Sequence, residues 1–184
     1  MIVETERLIL RPYRVADAAA VHRYGSDPEV CRYTEDGPNT WDDTLRFLQT
    51  AVRPIPPKIQ LAITLRGDDT VVGGAGAWPV VGGTGAAWPV AEGRWEMGWG
   101  LRRDLWGHGY ATEATRAIFG IVAGRGDVHA IIARCRPENT ASARVIEKLG
   151  MRFVELIPRD KMVGGEWMDT EVYEVTLPGA DVPA

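Results

Sequence analysis

Cysteine is scarce, and the two that occur, Cys31 and Cys135, lie too far apart for any metal-ligand spacing. No metal site is expected, and both thiols read as core packing. No uninterrupted apolar run is long enough to cross a bilayer, and the opening MIVETERLILR lacks the layout of a secretory signal. Positive charge is not in excess either. Lys and Arg number 21 against 25 Asp and Glu, leaving a net charge of −4 and a pI near 5.4, which argues against a nucleic-acid partner. No glycine-rich stretch is followed by Lys-Ser or Lys-Thr, so a P-loop is excluded. What remains is a soluble, cytoplasmic protein with no membrane partner.

What is present is enough for one real core: 184 residues, 45% of them hydrophobic and 25% charged. TERLILR at 5–11 alternates as a half-buried strand does. Asp17 reads as the start of a helix reaching residue 24, and Ser26-Asp27-Pro28 as the cap of a short one through residue 33. Thr40 and Asp43 have capping-box spacing for a helix that ends before Pro54. Strands are expected at 59–65 and 70–77. An internal echo follows, GGAGAWPVV at 73–81 and GGTGAAWPV at 82–90, read as a strand end plus a mobile connection. Further on, a buried strand is expected at 128–135, a helix at 141–149, and a hairpin of 151–162 with 166–176 about Gly164-Gly165. Together these predict an α/β domain over residues 1–177, with PGADVPA at 178–184 as a flexible tail.

The chain is organised around residues 95–115, WEMGWGLRRDLWGHGYATEAT. A strand leads into a turn with glycines at Gly107 and Gly109, and a helix begins at Tyr110. Such a turn lets several N–H groups converge, and the helix N-terminus adds unpaired donors and partial positive charge to the same point. A loop of this design binds an anion, most often a phosphate. Asn139 and Ser142 form a polar pair one turn apart at the next helix start, and Glu96 lies on the strand that feeds the cradle.

WGHGYATEAT and RPENTASARVIEKLGM together resemble the acetyl-CoA site of GNAT N-acetyltransferases. With TERLILRPY and the Trp167, Asp169, Tyr173 ending, which carries one extra residue of spacing, the chain is similar to the branch that includes the ribosomal-protein N-terminal acetyltransferases. The resemblance implies a mixed, strongly bent sheet with splayed central strands, flanked by helices. It also implies direct transfer of an acetyl group from acetyl-CoA to a primary amine, either a peptide N-terminus or a small molecule. The family's phosphate-binding signature falls on Trp106, Gly107, His108, Gly109, Tyr110 and Ala111, with Thr112 following. Trp106 stands where Gln or Arg is usual. The backbone of Leu101 is implied to pair with the pantetheine arm, and Asn139 to touch it. Trp99 joins this cofactor set.

Glu96 matches a position where related enzymes carry a base, against the alternative of a structural carboxylate paired with an arginine. Ser142 is placed either to donate to the leaving thiolate or only to hold the cofactor. His108 is expected to point outward, and His22 and His129 to be surface or packing residues. Tyr33 is the preferred wall of the acceptor pocket, with Trp41 and Trp99 as further candidates. Arg102 and Arg103 read equally as phosphate contacts or solvated charges. Net acidity leans toward a cationic acceptor. A homodimer is compatible with the resemblance. A non-catalytic acyl-CoA sensor and a nucleotide-dependent enzyme are the rival readings.

Overall fold

The alternation in TERLILR produces a sheet edge: two residues of β1 (Val3–Glu4) turn back into β2 (Leu8–Arg11), which buries Leu8 and Leu10 completely. The computed structural model describes residues 1–80 and 93–178. The chain continues through α1 (Ala18–Gly25), α2 (Trp41–Ala51), β3 (Ile59–Leu65), β4 (Asp68–Pro79) and β5 (Arg94–Leu101). After these come α3 (Tyr110–Ala123), β6 (Ala130–Cys135), α4 (Thr140–Lys148), β7 (Arg152–Val163) and β8 (Glu166–Thr176). The strands form one eight-stranded sheet, ordered β1-β2-β3-β4-β5-β6-β8-β7. Every neighbouring pair is antiparallel except β5 with β6, whose parallel pairing requires a crossover that α3 supplies.

Helices cover both faces. Ala114, Ile118 and Val122 of α3 bury against Trp95, Met97 and Leu101 of β5 in the larger core. On the other face Val21, Leu48 and Ala51 from α1 and α2 pack with Tyr13, Ala62 and Val71. The first copy of the glycine echo is the body of β4. A Cβ on Gly74 would lie 1.9 Å from the Tyr13 hydroxyl, so glycine there lets the ring sit over the strand. The second copy lies outside the described residues, as do the final residues of the expected tail, 179–184.

The feature that shapes the site is a parting of the two central strands. Pairing between β5 and β6 runs from Arg94 opposite Ala130 to Met97 opposite Ala133 and then stops. Gly98 to Leu101 continue beside β4, whereas Arg134 and Cys135 continue beside β8. A wedge opens between them at their carboxyl ends.

One local expectation gives way. Residues 28–33 form linked turns, not a helix: Asp27 turns its carboxylate onto the Glu29 amide (2.9 Å), and Cys31 donates to the Gly25 carbonyl. A stretch so short before Gly37-Pro38 cannot repay helix nucleation. Asp17 stands at the N-cap of α1 as expected, though its side chain makes no cap hydrogen bond to that helix. Its carboxylate takes both Nη atoms of buried Arg11 at 2.9 Å and the Arg14 amide at 2.7 Å. The Thr40–Asp43 capping box forms as expected.

Candidate active site

At the end of β5 the chain makes a 3-10 turn, Arg103–Leu105, and reaches Gly107 (φ 79°) and Gly109 (φ 82°). Side chains rarely adopt this left-handed backbone. Gly109 is the N-cap of α3 and supplies no capping side chain, in contrast to Thr40 before α2 and Asn139 before α4. The first amide of the α3 turn to find an acceptor is that of Glu113, on the Gly109 carbonyl at 3.0 Å. Those of Tyr110, Ala111 and Thr112 meet none among the described residues. Unspent donors at the positive end of a helix fit a diphosphate.

Several contacts brace this cradle. The Trp106 indole donates to the Leu101 carbonyl (2.8 Å), tying the loop to the strand end. Arg7 donates to the His108 carbonyl (2.9 Å) and to Glu113 (2.7 Å), and its guanidinium lies 4.7 Å from the centre of the Tyr110 ring. Glu113 also accepts from the Thr5 hydroxyl at 2.6 Å and the Arg7 amide at 2.8 Å. Burial pushes its carboxyl up, but these bonds from Thr5 and Arg7 outweigh that and hold it below the ordinary range. His108 is exposed and engages the Trp106 carbonyl through Nδ1 (2.9 Å), with its ring stacked on Tyr110, facing away from the cleft as expected.

The cradle opens into a cleft of about 900 Å³ that occupies the wedge. Trp99, Leu101, Trp106, Gly107, Gly109, Tyr110, Ala111 and Thr112 form one end, with Asn139 and Ser142 beside them. Because the Arg102 amide bonds to Val72 on β4, alternation turns the backbones of Leu101 and Trp99 toward the open side. The Leu101 carbonyl is already spent on Trp106, so its N–H is the group left for an incoming amide. The Asn139 side-chain oxygen is likewise spent, capping α4 through the Ser142 amide (3.1 Å). Arg102 is paired with Asp104 at 2.6 Å and takes no part in the cleft. Arg144 and Lys148 of α4 supply the basic wall near the cradle instead.

The other end holds the acid–base groups. Glu96 stands next to the last paired position of β5, its side chain 21% exposed, 3.7 Å from Arg134 Nε. Burial raises its pKa above the usual carboxylate range, while Arg134, the Trp78 indole and Lys161 pull it back only in part. Tyr33 lines the same space and donates to the Glu138 carbonyl (3.2 Å), bridging the acceptor side to the start of α4. Trp41 stays outside, edge-on to His22, whose Nδ1 meets the Thr44 hydroxyl at 2.9 Å. Cys135 lines the cleft with its thiol pushed up to about 12 by burial and by Glu171.

Residues 7–152 match the acetyltransferase (GNAT) domain model. The chain belongs to the GNAT acetyltransferase family. It is 32% identical over 95% of its length to an uncharacterized N-acetyltransferase of Bacillus subtilis, YnaD, covering 96% of that protein. A GNAT-family acetyltransferase structure from Bacillus anthracis superposes with a TM-score of 0.82 at 32% identity, over 96% of this chain and 98% of that one. RimL, a ribosomal L7/L12 α-N-protein acetyltransferase solved with coenzyme A, shares the fold at TM-score 0.77 and 17% identity, over 98% and 100% of the two chains.

For this GNAT chain, the sequence reading missed the brace of Arg7 on Glu113 and the cationic walls of Arg134, Arg136, Arg144 and Lys148. A signal existed for two of them. Arg134 and Arg136 flank Cys135 at the end of an otherwise apolar strand, where a charge demands a partner or a ligand.

Proposed function

We propose that this GNAT protein transfers the acetyl group of acetyl-CoA directly to a primary amine, using Glu96 as base. The observation that carries the reading is the uncapped α3 start at one end of the wedge, with a half-desolvated carboxylate at the other. The glycine cradle takes the diphosphate, and the Leu101 N–H with the Asn139 amide positions the pantetheine arm. An acetyl thioester arrives activated, so alignment supplies much of the rate. Glu96 accepts the amine proton, directly or through one water, as the nitrogen bonds to the acetyl carbon and the C–S bond breaks. Ser142 lines the same cleft, and in this reading its hydroxyl donates to the departing sulfur.

The acceptor is the α-amine of a peptide N-terminus or the amine of a small molecule, with Tyr33 as part of its pocket. Domain boundaries at 1–177 belong to this reading. So does a cytoplasmic location, supported by two free, buried cysteines. A homodimer is compatible with it, and sedimentation velocity separates the 20.2 kDa chain from its pair. The decisive experiment measures thiol release from acetyl-CoA across peptides, amino acids and polyamines. Amine-dependent release supports transfer. Calorimetric binding of coenzyme A without release for any amine overturns it in favour of an acyl-CoA sensor.

A further inference from the structure

Three buried or half-buried arginines can be compared for how their donors are spent. Arg11 uses Nε, Nη1 and Nη2 fully, on Asp17, Asp69 and two carbonyls. Arg136 bonds the Thr170 hydroxyl and lies 3.8 Å from Glu35 and 3.9 Å from Asp160. Arg134 is different. Its side chain is 20% exposed, yet its Nε is buried and has no hydrogen-bond partner among the described residues. The nearest acid, Glu96, is 3.7 Å away, too far for a hydrogen bond. Nε is closed to solvent while the side chain as a whole still lines the cleft, so a ligand there can meet the guanidinium only away from Nε.

Arg134 and Glu96 line the same cleft, side by side. We infer that the acceptor is a small zwitterion, an amine with a carboxylate one carbon away, as in a free α-amino acid; this rests on the acetyl-transfer reading above. The amine meets Glu96 and the carboxylate meets the guanidinium fork of Arg134, a planar donor set that suits two carboxylate oxygens. Beside them, Arg136 lies 3.8 Å from Glu35 and 3.9 Å from Asp160, and Lys161 takes Glu35 at 3.3 Å, so these neighbours are paired among themselves.

The test compares each of the common α-amino acids with its primary amide and with a dipeptide beginning in the same residue, by thiol release from acetyl-CoA. Wild type is expected to prefer the acid over the amide by roughly ten- to hundredfold in kcat/KM, mostly through KM. Arg134→Gln brings that ratio close to one, and Arg134→Lys, which keeps the charge beside Glu96, restores part of it. Equal rates for acid and amide, faster turnover of the dipeptide, or a preference that survives Arg134→Gln each overturn the zwitterion. If no amine releases thiol, the transfer reading has failed on its own. Calorimetry with the free amino acids and coenzyme A then decides this proposal: binding lost in Arg134→Gln upholds it, and no binding to wild type rejects it.

Discussion

Glu96 combines two demands that usually conflict, access to the cleft and removal from water. Desolvation keeps its carboxyl above the ordinary range, so the protonated form persists to higher pH than in an exposed glutamate. Only the ionised form accepts the amine proton. The kcat/KM of wild type should therefore rise with pH through a limb lying above the usual carboxylate values. Glu96→Gln should lower the rate near neutrality by roughly a hundredfold or more and abolish that limb, with cofactor affinity nearly unchanged. A retained limb in the variant would assign it to another group. Arg134 modulates the same titration, because its charge favours the ionised form. Arg134→Gln should shift the limb upward, and Arg134→Lys should leave it near its wild-type position.

Unlike α2 and α4, α3 has no side chain capping its first turn. Gly109→Val places a branched side chain on a backbone with φ of 82°, and the Cβ alone would sit 3.4 Å from Arg7 Nη2. The expected result is loss of coenzyme A binding by calorimetry, with circular dichroism showing the fold retained. Arg7→Ala removes the brace but not the amides, so it should weaken coenzyme A by roughly tenfold without abolishing it. Wild-type affinity in either variant would separate the cradle from phosphate binding. At α2 the corresponding surgery has no functional reach. Thr40→Ala removes a capping box and should cost about 1 kcal/mol of stability, with coenzyme A affinity unchanged.

For the molecule as a whole, the cleft lies between elements from its first and last parts, and ligand there should stabilise everything that lines it. Coenzyme A at about a hundredfold its Kd should contribute about 2.7 kcal/mol, raising the Tm by roughly 5–10 °C for a domain of this size. Scanning calorimetry reads it. The shift should vanish in Gly109→Val, whose own Tm tells lost binding from lost folding. ATP or NAD producing the same shift as coenzyme A would favour the nucleotide-dependent rival.

Features set by near neighbours in the chain were readable in advance. Alternation marked β2, the Thr40–Asp43 spacing marked the start of α2, the glycines at 107 and 109 marked the cradle, and Gly164-Gly165 marked the hairpin. Each depends on backbone preference or side-chain reach over a few residues, so the local string carries it. Reading failed at residues 28–33, where packing of Cys31 against Gly25 and Gly37 holds the chain in turns. The parting of β5 from β6 and the approach of Arg134 to Glu96 arise between separate strands, with no signature in either alone. Local preference built the phosphate cradle, but long-range strand pairing chose which charges face each other at the acceptor end, because those contacts exist only once the sheet has formed.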